Sequence, residues 1–266
     1  MEEKLSYIGA AQCLARTPSA SLRNDNASIH DELALLHGKF GNYSHNAAPF
    51  LPWHRYFIYV YEQALRENCG YQGSLPYWDW TLDYQDLSRA PVWNLIDGFG
   101  PSRDEYGSEG VAGGHCVVSG PFAGLMPTFF EGVRDPHCLS RGILDKETVR
   151  RVGNLTVRPT VLARLANTNG SYFDFLIELE HTSHLVIPYI LQGDFSKITA
   201  PNEPRQSEYN GPSRNDSSVE GVLRDFLDSG DFLPMWPRVE DVMDTEGGLL
   251  CYQYDTTVWE ESWVTI

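Results

Sequence analysis

The chain contains 266 residues, of which 42% are hydrophobic and 12% aromatic, and its formal net charge is −16 at pH 7. This length fits one large domain or two small ones, and the composition is typical of a globular protein. The acidic balance argues against a nucleic-acid partner, because like charge repels the phosphate backbone. The sequence has no run of about 18 apolar residues, so we expect no membrane partner.

The cysteines and the N-terminus give opposing indications of cellular location. The first residues, MEEKLSYIGAAQCLARTPSA, lack a basic stretch followed by an apolar one, so we expect no signal peptide. Two bridges among the five cysteines can be drawn in about 15 ways, and at least one thiol stays unpaired. Sequons of the N-x-S/T type occur at Asn26, Asn42, Asn154, Asn169 and Asn215. Cysteines and sequons indicate a secreted ancestry, whereas the absent leader slightly favours an intracellular location.

Hydrophobic spacing predicts three helices in the first part of the chain. Residues 1–16 and 28–40 carry apolar side chains at steps of three or four. Pro52 suits the first turn of a third helix, which continues from 53 to 68 without Gly or Pro and ends at Gly70. The later part of the chain begins with predicted loops over 73–127, followed by polar helices and turns over 145–168. Residues 171–192 have apolar side chains at helical spacing as far as Pro188, where the predicted helix ends. A surface loop is predicted over 199–219, and a helix near 219–228.

Three of the eight histidines lie between residues 37 and 67, where the second predicted helix ends and the third begins. His37 is near the end of the second predicted helix, His45 is in the loop, and His54 is in the first turn of the next helix. Such an arrangement can direct three imidazoles to one point. A neutral imidazole is the commonest metal ligand, and three such nitrogens favour copper or zinc over magnesium or calcium. The alternative is three unrelated histidines on a surface loop.

A second candidate cluster lies in the run LEHTSH. His181 and His184 are three residues apart, which places them on one helix face, and Glu178 and Glu180 are their neighbours. The alternative is a partly exposed polar face. We assign no metal role to the other histidines, which are His30, His115 and His137.

The run HGKFGNYSHNAAPFLPWHRYF, followed by YEQALRENCGYQGSLPYWDW, resembles the first copper half-site of fungal tyrosinases and catechol oxidases. The histidine spacing of eight and then nine residues matches, as do the FLPWHR and PYWDW runs. Further similar segments are YIGAAQCL, GGHCVVSGPFAGL, SYFDFLIELEHTSHLVIPYILQGDF and VMDTEGGLLCYQYD. The resemblance thus extends over nearly the whole chain. It implies a single copper-binding domain, 1–266, with a copper-A half at about 28–70 and a remnant of the copper-B half at about 171–204.

The resemblance implies a mainly α fold, in which a four-helix bundle with long loops holds two copper ions, each on three histidine nitrogens. Dioxygen binds between the metals and is reduced while a phenol or catechol is oxidised. The implied ligands are His37, His45 and His54 for the first copper, and His184, with His181 as a further candidate, for the second. Glu180 is the implied catalytic residue, orienting a water that takes the phenol proton. The substrate would be a small phenol, or a tyrosine-bearing peptide or polyketide of a secondary-metabolite pathway.

The second half-site departs from the family. Pro188 stands where a second histidine is expected, a run like DPxFFLHHxxxDRLWW is absent after Pro204, and no histidine follows His184. One bundle helix is therefore expected to be missing, either through loss of coding sequence or because the protein has diverged with one intact copper site. The sequence leaves two functions open, which are a copper-dependent oxidoreductase and a catalytically impaired protein that binds one copper. A non-metal structural module is a third and weaker reading.

Overall fold

Helices form most of the regular structure in residues 2–167, 170–197, 221–227, 236–252 and 263–265, which the computed structural model describes. The mainly α class is as predicted. The α-helices are α1 (Glu2–Leu14), α2 (Ile29–Ser44), α3 (Phe50–Cys69), α4 (Trp80–Asp83), α5 (Lys146–Thr156), α6 (Pro159–Ala166), α7 (Tyr172–Leu179) and α8 (Leu185–Ile190). None of them is long and apolar enough to cross a membrane.

Short strands pair into small two-stranded antiparallel sheets. The strands are β1 (Pro76–Trp78), β2 (His115–Cys116), β3 (Phe129–Phe130), β4 (Val133–Arg134), β5 (Ser140–Arg141) and β6 (Trp263–Thr265). Among the described residues, β1 pairs with β6, β2 pairs with β5, and β3 pairs with β4. Apart from β1, β2 and the single turn of α4, residues 73–127 consist of turns, bends and short 3₁₀ segments, which agrees with the predicted loop-rich stretch.

Helices α2 and α3 start and end at local signals in the sequence. A capping box opens α2, in which the Ser28 hydroxyl accepts from the Asp31 N–H at 3.1 Å and the Asp31 carboxylate accepts from the Ser28 N–H at 2.8 Å. The helix continues to Ser44, four residues past its predicted end. Helix α3 begins at Phe50, keeps Pro52 in its first turn, and stops at Gly70, whose φ of +65° suits glycine.

The core forms where α1 packs on α3. Leu14 of α1 and Leu65 of α3 are completely buried, and the hydroxyls of Tyr7 and Tyr61 lie 3.1 Å apart. The Cys13–Cys69 disulfide joins the ends of these two helices. The second disulfide is Cys116–Cys138, and Cys251 is free and exposed. The pairing, which the sequence left open, is thereby determined.

A π-helical segment interrupts the helix predicted from residue 171. A second capping box, between Ser171 and Asp174, opens α7, and the π segment Glu180–His184 leads into α8. Pro188 lies inside α8, so the prediction that the helix ends there is wrong. Proline has no N–H to bond the carbonyl four residues earlier, that of His184, and its ring crowds that carbonyl. The wider π turn just before it is consistent with this local conflict.

The helix predicted near 219–228 does not form in its described part, residues 221–227. Phe226 forms an isolated β-bridge with Arg238, and the N–H of Leu227 donates to the Pro237 carbonyl at 2.8 Å. Pairing with a distant segment therefore overrides the local pattern. The surface loop predicted over 199–219, and the place of the expected missing helix, lie outside the described residues.

His137 and Asp194 form a hydrogen-bonded pair that ties the loop region to the turn after α8. His137 Nε2 donates to Asp194 Oδ1 at 2.8 Å, and its Nδ1 donates to the Asp135 carbonyl at 2.6 Å. Asp194 is completely buried and also accepts from the Ser140 N–H at 2.8 Å. Burial lowers the pKa of His137, but the hydrogen bond and charge of Asp194, with the Asp135 carbonyl, outweigh it and raise the pKa above its ordinary value.

This raised pKa predicts that stability declines with increasing pH. The stabilisation from protonated His137 is fully present below its unfolded pKa of about 6.5 and is lost as the pH rises through the folded pKa. The contribution of His137 lowers the free energy of unfolding by at most about 1.4 kcal/mol per pH unit, because one proton is involved. Urea unfolding of the wild type and of His137→Gln between about pH 5.5 and 9 measures it. The variant is expected to lose this component, and equal slopes in both proteins would contradict the prediction.

Candidate metal centre

Three imidazoles from α2, α3 and the loop between them converge on one point. The candidate ligand atoms of His37, His45 and His54 all lie within 4.8 Å of one another. His37 is 7% exposed and His54 is completely buried, whereas the His45 side chain is 17% exposed. The Nε2 atoms of His37 and His54 are 3.0 Å apart. Within the described residues no second group of three such side chains meets this geometry.

The chain places these rings through the sharp turn between two packed helices. His37 lies within α2, and His54 follows the first turn of α3. His45 is the residue after α2, with an extended backbone (φ −67°, ψ 146°), and the next residue, Asn46, has a φ of +55°. Asparagine tolerates this left-handed conformation better than most residues. The turn brings the loop histidine back over the two helical ones.

Hydrogen bonds to Nδ1 set the tautomers of two rings. His54 Nδ1 donates to the carbonyl of Phe50, one turn earlier in α3. His45 Nδ1 lies 2.8 Å from Oε1 of Glu180, and a carboxylate can only accept, so this nitrogen carries the proton. In both rings the lone pair is therefore on Nε2 and faces the cluster.

One of these lone pairs is left without a partner in the described part of the chain. Nε2 of His45 is buried there and accepts no hydrogen bond. A buried polar atom without a partner destabilises the fold, by roughly 1–3 kcal/mol. A metal ion in contact with Nε2 would supply the missing interaction. The donor set of three neutral nitrogens fits copper or zinc.

Electrostatics favour the neutral, ligating form of the buried ring. Burial, followed by the proximity of His45 and His37, lowers the pKa of His54 well below its ordinary value, and the Phe50 carbonyl only partly opposes this. His54 is therefore neutral at physiological pH, as metal binding requires.

Aromatic side chains surround the imidazoles and keep the site dry. Trp53 and Phe57 stack at 5.4 Å between ring centroids, and each lies 5.7 Å from the His37 ring. The Phe50 ring lies 4.8 Å from His54 and 5.1 Å from His184. Apolar surroundings of this kind limit solvent access to a metal.

The π segment adds His184 and Glu180 to the site but turns His181 away. His184 lies 5.7 Å from the His45 ring, and its Nδ1 is buried without a partner among the described residues. Burial, then His45 and His37, lower its pKa to about 3. Glu180 is buried and hydrogen-bonds His45, whereas His181 is exposed and contacts the Asn46 side chain. The two histidines predicted as a pair therefore diverge.

Comparison with known proteins identifies the family. Residues 24–205 match the family described as the common central domain of tyrosinase. Tyrosinase ustQ of Aspergillus flavus is 38% identical over 275 residues, covering 95% of this chain and 76% of that protein. The chain belongs to the tyrosinase family. Tyrosinase-like protein phomQ1 of Diaporthe leptostromiformis is 37% identical over 289 residues, covering 94% of this chain and 73% of that protein.

A solved structure supports the predicted fold of this tyrosinase-family chain. A variant of the polyphenol oxidase from Thermothelomyces thermophila superposes with a TM-score of 0.77 at 22% identity, covering 95% of this chain and 85% of that one. The resemblance inferred from the histidine spacing is thereby confirmed at the level of family and mainly α fold. The family implies copper, and the ligand roles of the individual histidines remain predictions.

Two residues that contribute to the site were not predicted. Asn46 contacts both Glu180 and His181, and the Phe50 carbonyl sets the His54 tautomer. The first could have been suspected from asparagine at a turn after a helix, because asparagine tolerates positive φ. The second acts through its main chain, for which the sequence carries no signal.

Replacing His54 tests the three-histidine site. His54→Ala is expected to weaken copper binding by more than the roughly 10–100-fold that loss of a ligand's outer partner costs, because a ligand itself is removed. The control is His115→Ala, since His115 lies in β2, where it contacts Arg103 and the Gly107 carbonyl. Metal analysis after dialysis, with circular dichroism to verify folding, measures the effect. Equal copper content in a folded His54→Ala variant would contradict the assignment.

Proposed function

We propose that this tyrosinase-family protein is a copper-dependent oxidoreductase that oxidises phenols or catechols with dioxygen. The observation that supports this most directly is the convergence of His37, His45 and His54, whose candidate ligand atoms lie within 4.8 Å of one another in a buried aromatic setting. Bound copper would supply the one-electron redox chemistry that couples dioxygen reduction to phenol oxidation.

The protein's own groups prepare this site in three ways. His45 and His54 are held as the tautomers that present Nε2, and burial keeps His54 neutral. Phe50 and Trp53 exclude water from the rings. These features reduce the rearrangement that the protein must undergo when metal binds.

The exposed edge of the site indicates where a phenol would approach. His45 is the most exposed of the three candidate ligands, with its side chain 17% exposed, whereas His37 and His54 are buried. We place substrate access on the His45 side. The substrate class that we propose is a small phenol, or a tyrosine-bearing peptide or polyketide from a secondary-metabolite pathway.

A specific observation favours a second candidate function, that of an impaired protein that binds one copper. In the described residues His184 is the single further imidazole beside the first cluster, and His181 is directed at Asn46. No histidine follows His184 in the sequence. A second metal would therefore have fewer histidine ligands than the first.

Copper reconstitution with oxygen-uptake measurement distinguishes the two functions. For the oxidoreductase we expect two coppers per chain, as in the family, and oxygen uptake on addition of a catechol that is lost in His54→Ala. The readouts are metal analysis, an oxygen electrode and quinone absorbance. One copper per chain without oxygen uptake would support the second candidate and overturn the first. Absence of bound copper would overturn both.

A further inference from the structure

The Glu180 carboxylate, from the π segment, reaches across to the loop that carries His45. We propose that Glu180 is a positioning residue that fixes the His45 ring with Nε2 towards the other two imidazoles. The consequence for copper rests on the proposed function, whereas the hydrogen bond itself does not depend on metal.

His45 needs such support because no helix holds it. It follows the last residue of α2, and its neighbour Asn46 has a left-handed backbone. His54, in contrast, is held by a carbonyl of its own helix. A loop histidine without an external partner could rotate about χ1 and χ2 or change its tautomer. Either change would remove one of three nitrogens from the cluster.

Both carboxylate oxygens of Glu180 are engaged by this loop. Oε1 accepts from His45 Nδ1 at 2.8 Å and from the Asn46 N–H at 3.1 Å, while Oε2 accepts from the same N–H at 2.9 Å. Glu180 is 1% exposed. A buried carboxylate requires such donors, and hydrogen bonds to a charged acceptor are stronger than neutral ones. The carboxylate therefore fixes the backbone and the ring of the loop together.

The π turn makes this contact possible. Within Glu180–His184 the residues Glu180 and Ser183 are buried, whereas His181 is exposed. The turn thus brings the buried carboxylate to the His45 ring and the Asn46 N–H, whereas the exposed His181 imidazole contacts the Asn46 side chain. The geometry points to a positioning role in place of the water-orienting role that the resemblance implies, because the oxygens already hold the His45–Asn46 loop.

The chemical effect on His45 is specific. An acceptor at Nδ1 keeps the proton there, so Nε2 retains its lone pair. A carboxylate partner also raises the basicity of the ligating nitrogen. Loss of such a partner typically costs about 10–100-fold in metal affinity.

Three variants test the proposal. Glu180→Ala removes the acceptor, whereas Glu180→Gln keeps an oxygen for His45 but loses the charge and places an amide NH₂ near the Asn46 N–H. The matched control is Glu178→Gln, because Glu178 lies near the end of α7 and pairs with Arg164 at 3.5 Å on the surface. Imidazole ¹⁵N NMR of the metal-free proteins reports the His45 tautomer, and chelator competition reports the copper dissociation constant.

We expect the wild type and Glu178→Gln to show His45 protonated on Nδ1 and to bind copper equally. Glu180→Ala is expected to populate both tautomers and to bind copper about 10–100-fold more weakly, with Glu180→Gln about tenfold weaker. If Glu180→Ala does not fold, the His45 tautomer and the copper dissociation constant of Glu180→Gln test the proposal. An unchanged His45 spectrum and dissociation constant in the folded Glu180 variants would overturn the proposal. If the wild type binds no copper, the proposed function fails, and the tautomer comparison still decides this inference.

Discussion

Burying several imidazoles together imposes a constraint on the whole centre, since each ring nitrogen must find a partner or destabilise the fold. The Phe50 carbonyl partners His54 on one side, and the Glu180 carboxylate partners His45 on the other. What remains are nitrogens that face one another, with the Nε2 atoms of His37 and His54 3.0 Å apart. Because His54 Nε2 carries a lone pair, a proton on His37 Nε2 can be donated to it at this distance, and a cation that binds the cluster would replace that hydrogen bond. The buried Nε2 of His45 has no partner among the described residues and is the Nε2 atom of the three that a cation would satisfy.

Helix α3 serves the core and the site at once, which links stability to function. Its first turns carry Trp53, His54 and Phe57 towards the imidazoles, and its later turns bury Leu65 against α1. A disulfide fixes its C-terminal end, at Cys69. Because one rigid helix contributes to both the core and the site, core packing determines the position of the candidate ligand His54. Substitutions in α3 far from the site would therefore change the position of His54 by changing the orientation of the helix.

The sequence predicted the parts of the site that depend on local spacing. Apolar periodicity and the glycine stop located α2 and α3, and the eight- and nine-residue intervals brought His37, His45 and His54 together. The contact between Glu180 and His45 could not be predicted, because it joins residues 135 positions apart through a π turn. In a regular helix His181 and His184 would lie on one face, which is why the sequence predicted both as candidate ligands of the same copper.

The helix predicted near 219–228 was wrong because contacts outside that segment determine its structure. Local spacing favoured a helix there, but backbone groups of Asp225 and Leu227 hydrogen-bond to Val239 and Pro237 instead. Backbone hydrogen bonds with a distant segment satisfy the same groups as a helix would, so local propensity cannot decide between them. The disulfide pairing was likewise undetermined by sequence, because several pairings satisfy the same cysteine count.

Arg55 connects the site to the described segment 236–252. It is 2% exposed, and its guanidinium donates to the carbonyls of Val242 and Met243 at 2.7 and 3.3 Å. A buried cation is costly without such acceptors, so the segment around Val242 must stay docked on α3. Arg55 adjoins His54 in the same turn of α3, so displacement of that segment would remove two hydrogen-bond acceptors from a buried guanidinium next to a candidate ligand. The centre therefore depends on contacts from three separate regions of the chain, which are the α2–α3 turn, the π segment and the segment that follows Arg238.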